Sequence, residues 1–151
     1  MPNPAFVPED FAPPRRLDAE LFRLEPLGPR HNDADHAAWT TSIEHIRATP
    51  GFAGRGWPPE AGMSLADNLR DLARHAADFE QRTGFTYSVL DGPTEADVVG
   101  CLYIYPAADD PAAAQVRSWV RADRAELDAP LHRAVADWLA AAWPFRRVDY
   151  R

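Results

Sequence analysis

Few groups in this sequence can move a proton, and they lie far apart along it. Glu44-His45 sets a carboxylate beside an imidazole, two side-chain types often used in general acid–base chemistry. Adjacent residues on a helix point in different directions, so the pair is no ready-made dyad, and either member could face an acceptor or solvent. Ser118 lies between Arg117 and Trp119, but no histidine stands at a position evident from the sequence to activate its hydroxyl. Tyr103 adds a phenol within an apolar run. His31-x-Asp33-x-Asp35-His36 offers metal-ligand types, yet the spacing matches no defined site and the acids suit a helix start, so no metal is expected. Cys101 is the single cysteine, and its place in the run Val98 to Tyr105 reads as an inert core thiol. It can form no intramolecular disulfide, and a reducing cytoplasm is the simplest compartment.

Composition narrows the chemistry further. All sixteen basic residues are Arg, which excludes a lysine nucleophile or Schiff base. A formal charge of −7 opposes unspecific attraction to nucleic acid or anionic lipid. There is no Gly-x-Ser-x-Gly elbow, no Walker-type loop and no Gly-x-Gly-x-x-Gly run, so hydrolase and nucleotide readings lose their best support. No apolar run approaches the roughly 18 residues a membrane span requires. Arg15-Arg16 is followed by Leu17-Asp18-Ala19-Glu20, polar where a twin-arginine export signal needs an apolar region.

These groups must be positioned by one domain, since 151 residues is an ordinary single-domain length. Prolines 2, 4, 8, 13 and 14 make residues 1–20 an extended arm, whose Phe6, Val7 and Phe11 must pack on its own domain (21–151) or on a neighbouring subunit. Leu21 to Leu27 alternates as a first strand. Trp39, Ile43 and Ile46 predict one amphipathic helix from about Asp33 to Ala48, closed by Pro50-Gly51. Residues 50–63, rich in Gly and Pro and holding Phe52 and Trp57, form a long connection that is either a binding loop or a packed linker. Ser64-x-x-Asp67 caps the clearest helix, with Leu65, Leu69, Leu72, Ala76 and Phe79 as its stripe and Gly84 as its C′ residue.

Phe85 to Leu90 and Val98 to Tyr105 predict an antiparallel hairpin about the turn cluster Asp91-Gly92-Pro93, and Gln115 to Val120 a third sheet member. Leu131, Val135, Trp138 and Ala142 mark a helix stopped before Pro144, with Asp128 as its N-cap. Arg147 to Tyr150 is a short strand reached by a right-handed parallel crossover. The fold class is therefore mixed α/β (α+β), in the order βααβββαβ, with a mainly antiparallel sheet flanked by helices.

From Leu21 to Tyr150, this order, the strands Val99 to Tyr105 and Val116 to Val120, and the segment Arg121-Ala122-Asp123-Arg124 with its following helix resemble the GNAT N-acetyltransferase superfamily. In that family a loop of the form Arg/Gln-x-x-Gly-x-Gly/Ala and the next helix N-terminus bind the pyrophosphate of acetyl-CoA. Here the positions read Arg124-x-x-Leu127-x-Ala129. The resemblance thus implies cofactor contacts from Trp119, Val120, Arg121, Arg124, Leu127 and Ala129, and acetyl-CoA or another acyl-CoA as cosubstrate. Leu127 departs from the glycine that allows close approach, Pro130 removes an amide donor, and Glu126 and Asp128 bring negative charge. At about 5 Å each carboxylate would repel a unit charge by roughly 1 to 3 kcal/mol, and the Asp128 cap would itself occupy the anion site. The family's later helix, with the tyrosine that protonates the departing thiolate in many relatives, has no counterpart by motif.

Two functions follow as expectations. One is an N-acyltransferase acting on an amine acceptor the sequence does not identify, a small-molecule amine, an amino acid, a sugar amine or a protein terminus, with Glu44, His45, Tyr103 and Ser118 as proton-path candidates. The other is a noncatalytic binding or assembly module that has lost the pyrophosphate loop. An open edge on the last strand further predicts a homodimer.

Overall fold

The computed structural model describes residues 5–92 and 96–151, so Pro2, Pro4 and Pro93 of the expected arm and turn lie outside it. Six strands form one sheet in sequential order: β1 (Leu17–Asp18), β2 (Phe22–Pro26), β3 (Phe85–Asp91), β4 (Val98–Ala107), β5 (Asp110–Val120) and β6 (Val148–Tyr150). All neighbours are antiparallel except β5 and β6, which run parallel with Val116 beside Tyr150. The expected fold class, hairpin and parallel crossover are all present. Alternation along the strands sends Cys101 and Trp119 to one face, and Leu102 and Val120 to the other.

Each face carries its own core. On the first, Ala38 and Trp39 of helix α1 (Asn32–Thr40), Ile46 of α2 (Ile43–Arg47), Phe52 and Leu72 pack against Cys101 and Trp119. On the second, Leu131, Val135 and Leu139 of α4 (Asp128–Ala142) recur at helical spacing and meet Val116, Val120 and an aromatic cluster around Phe85, Tyr87 and Trp143. The N-terminal arm docks on its own domain: Phe6 and Val7 are buried in the second core, and the Tyr87 hydroxyl donates to the Pro14 carbonyl at 2.6 Å.

Four local expectations need correction. The helix read from Asp33 to Ala48 is two helices, broken at Thr41-Ser42, where Thr41 Oγ1 donates back to the carbonyl of Ala37. Residues 17 and 18 add a strand that two residues of pattern could not reveal. Helix α3 (Leu65–Gln81) has the expected Ser64 cap, whose Oγ accepts from the Asp67 amide at 3.1 Å, but its left-handed C-terminal residue is Arg82 at φ 64°, not Gly84. Gly84 serves sterics instead, because a Cβ there would lie 2.2 Å from the Tyr105 ring. The stripe is also mixed, since Leu65 and Leu69 are exposed while Leu72 and Phe79 are buried.

The fourth correction is at Asp128. Its backbone is already helical (φ −60°, ψ −49°), because a 3-10 segment, Ala122–Leu127, runs directly into α4. A residue inside the helix cannot reach back to cap it. Its carboxylate turns instead to the Arg151 guanidinium in two contacts of 2.5 Å, so it does not fill the anion site.

Candidate functional site

A cavity of about 340 Å³ opens on the first face of the sheet, between α3, strands β4 and β5, and the 50–63 connection. The connection is therefore a binding-loop candidate that is also packed. Trp57 sits 5.6 Å from the Trp39 ring and 6.3 Å from that of Tyr103, and Arg47 Nη1 donates to the Pro58 carbonyl at 2.7 Å. Tyr103 and Arg117 reach this space because odd-numbered residues of β4 and β5 share that face.

One wall carries a hydrogen-bonded chain. The Tyr105 hydroxyl donates to Asp78 Oδ2 at 2.8 Å, and His75 Nδ1 lies 2.8 Å from the same hydroxyl oxygen and 3.1 Å from Thr86 Oγ1. A phenol has one proton, which goes to the carboxylate, so the Nδ1 contact to Tyr105 is made by an N–H donating to oxygen. That tautomer leaves a lone pair on Nε2, which has no hydrogen-bond partner among the described residues. Burial, with help from the Arg74 charge, lowers the imidazole to about 4, so it is neutral near pH 7. Burial likewise raises the Tyr105 phenol, and the bond to Asp78 raises it further.

The cavity contains charge of both signs. Asp35 is buried and pushed up to about 6 by desolvation, which the hydrogen bond from Asn68 Nδ2 (3.1 Å) opposes. Arg117 is held below its ordinary value by burial, then by repulsion from Arg55, and its Nε is buried without a hydrogen-bond partner. Tyr103 accepts from Trp119 Nε1 at 3.1 Å, and burial raises its phenol well above the usual range, so it serves as a neutral hydroxyl.

The sequence candidates are divided by this geometry. Tyr103 lines the cavity, whereas Glu44 and His45 do not, Glu44 being exposed on α2. Ser118 faces the other core, where its Oγ lies 2.5 Å from the Tyr150 hydroxyl. The residues of the His31 to His36 run turn to separate partners: His31 Nδ1 accepts from the Gly28 amide at 3.3 Å, Asp35 meets Asn68, and His36 Nε2 meets the Met63 carbonyl at 2.5 Å. Cys101 is fully buried, which pushes its thiol up. No motif in the sequence singles out His75, Tyr105 and Asp78. His75 and Asp78 lie three apart on one helix, and the pattern was visible, but the partner that joins them is on a strand thirty residues away.

At the β5 to α4 junction three backbone amides are engaged without help from the Asp128 carboxylate. The amide of Ala122 donates to Ser42 Oγ at 2.9 Å, that of Arg124 to the Arg121 carbonyl, and that of Asp128 to the Ala125 carbonyl. Trp119, Val120 and Leu127 are buried in the cores, while Ala129 is exposed on the first turn of α4. Arg121 is neutralised by Asp97 and Asp123, each at 2.9 Å, and Arg124 by Asp91 at 2.9 Å and Glu126 at 3.1 Å.

No protein-family model matches the sequence, and no curated protein matches it. Solved structures do match in fold. A probable acetyltransferase of the GNAT family from Chromobacterium violaceum superposes with a TM-score of 0.65 at 19% identity, over 93% of this chain and 66% of that one. The ribosomal L7/L12 α-N-protein acetyltransferase RimL, in complex with coenzyme A, gives 0.63 at 12% identity, over 82% and 66%. The ribosomal-protein-S5-alanine acetyltransferase from Vibrio fischeri gives 0.59 at 12%, again over 82% and 66%. The chain thus spans about two thirds of the length of these proteins.

Proposed function

We propose that this chain, which has the GNAT acetyltransferase fold, is an N-acyltransferase that moves an acyl group from acetyl-CoA or another acyl-CoA to a small amine held in the cavity. The observation that supports this reading best is the neutral His75 imidazole, its Nε2 lone pair unengaged, on the wall of a cavity that β5 also lines. Attack of an amine on a thioester carbonyl leaves a proton on nitrogen that must depart as the C–S bond breaks. His75 Nε2 takes that proton, and the resulting imidazolium is stabilised through Tyr105 by the Asp78 carboxylate. By the family resemblance, the amides around Trp119 to Arg121 hold the thioester and pantetheine arm. A cytoplasmic setting, a small-molecule acceptor and a homodimer belong to the same proposal.

The second reading, a noncatalytic binding module, draws on a different observation: the Ala122, Arg124 and Asp128 amides are engaged and both nearby guanidiniums already carry carboxylates. A phosphate would have to displace these partners before binding. Calorimetric titration with acetyl-CoA and CoA separates the two readings. The acyltransferase gives measurable heat and acyl transfer to an amine panel. Absence of both at millimolar ligand, with amines still bound in the cavity, selects the binding module.

A further inference from the structure

We infer that the amine taken by this cavity also carries a carboxylate, which pairs with Arg117 and Arg55, so that the acceptor is an amino-acid-like zwitterion. This rests on the cavity being the acceptor site of the proposed acyltransferase, and it deepens that reading. The chain is rich in arginine–carboxylate pairs. Among the described residues Arg121, Arg124, Arg147 and Arg151 each meet at least one acid. Arg117 and Arg55 are different: both line the cavity, and neither guanidinium makes a side-chain hydrogen bond or ion pair among the described residues.

Holding Arg117 there is costly, because its Nε is taken out of water with no hydrogen bond in return. Its place is nonetheless fixed. Gly51, at φ +94°, passes so close that a Cβ would lie 3.2 Å from Arg117 Cγ, so the loop backbone presses the stem against β5. Arg55 comes from the same loop and repels Arg117. Two like charges brought together over an aromatic floor of Phe52, Trp57 and Tyr103 are complementary to one planar anion, and a guanidinium fork matches a carboxylate in two parallel bonds.

The opposite charge has its own region. Asp35 and Asp71 also line the cavity, and Asp71 is only loosely engaged by Arg74 at 3.6 Å. An ammonium is drawn toward these acids and toward His75, while the carboxylate turns to the arginines. The volume of about 340 Å³ is at the small end of ligand pockets and suits a single amino acid rather than a peptide.

The test compares free amino acids with the amines made by removing their carboxyl groups, for example phenylalanine with phenethylamine and tyrosine with tyramine. Thermal shift and calorimetry are used on the full chain, with no acyl donor present. At least one amino acid should bind roughly 10- to 100-fold more tightly than its decarboxylated counterpart, the range expected for charged hydrogen bonds. Arg117→Gln and Arg55→Gln should each shrink that preference. Arg117→Gln should leave the melting temperature of the empty protein unchanged or higher, because the arginine it replaces has no partner to lose. If no amino acid outcompetes its amine, or if Arg117→Gln keeps the preference and lowers the melting temperature, the inference is overturned. Carboxylate preference without acyl transfer would keep this inference and remove the acyltransferase, and acyl transfer without carboxylate preference would do the reverse.

Discussion

At the scale of single residues, His75 and Leu127 separate the proposed catalysis from architecture. His75→Ala removes the only imidazole lining the cavity among the described residues, so the proposed acyl transfer should slow by roughly 100-fold or more while the protein remains folded. Steady-state turnover with circular dichroism as a folding control checks this, and unchanged turnover would dismiss His75 as the base. Leu127 stands where the family's loop has glycine, yet it is 1% exposed and part of the second core. Leu127→Ala should therefore cost about 2 to 5 kcal/mol by leaving a cavity, as read from urea denaturation. Opening the junction by mutating this residue would trade stability for access.

At the scale of elements, the sequence was most legible where one periodicity ran long enough. Ser64 and its stripe announced α3, and Ser64→Ala should destabilise the protein by about 1 kcal/mol in chemical denaturation, with no effect expected if the cap bond is dispensable. The hairpin of β3 and β4 and the helix before Pro144 were equally plain. Legibility failed where tertiary contacts decide. Thr41-Ser42 breaks a helix whose apolar spacing continues through it, because Ser42 is wanted by the Ala122 amide eighty positions away. Asp128 looked like a cap by type, but the preceding residues were free to coil and moved the helix start upstream of it. The site was the least legible part. Tyr103 stands out within its apolar run, but the His75–Tyr105–Asp78 chain exists only after α3 packs on β4, and a lone histidine on a helix gives no sign of its partner.

For the whole molecule, buried titratable groups set the response to acid. His31 and His75 each sit at about 4 when folded, below the ordinary 6.5, so the unfolded chain takes up protons first as pH falls through that interval. Their contribution to stability is complete above 6.5 and is lost toward 4. Asp35 acts oppositely: raised from 3.8 to about 6, it stabilises most below 3.8 and loses that contribution as pH rises through 6. Two groups oppose one, so the melting temperature should fall between pH 6.5 and 4, and Asp35→Asn should steepen the fall. A melting temperature that rises on acidification would contradict this balance. Among the described residues β6 is an outer strand with no neighbour beyond it, and Leu65 and Leu69 stand exposed on α3, so we propose a homodimer. Light scattering giving a monomer mass at high protein concentration would remove that proposal.

Helix α2 is only five residues long, yet it is tied at both ends. Ser42, just before it, accepts from the junction amide of Ala122, and Arg47, its last residue, holds the Pro58 carbonyl of the loop over the cavity. A ligand that frees the Ala122 amide therefore loosens the footing of the loop, and one that draws the loop inward tugs on the junction. Such a link is reciprocal, so under the proposed acyl transfer the factor by which an acyl donor changes amine affinity must equal the factor by which the amine changes donor affinity. Calorimetry in both orders of addition measures that factor, and a value of one would mean the two ends of α2 act independently.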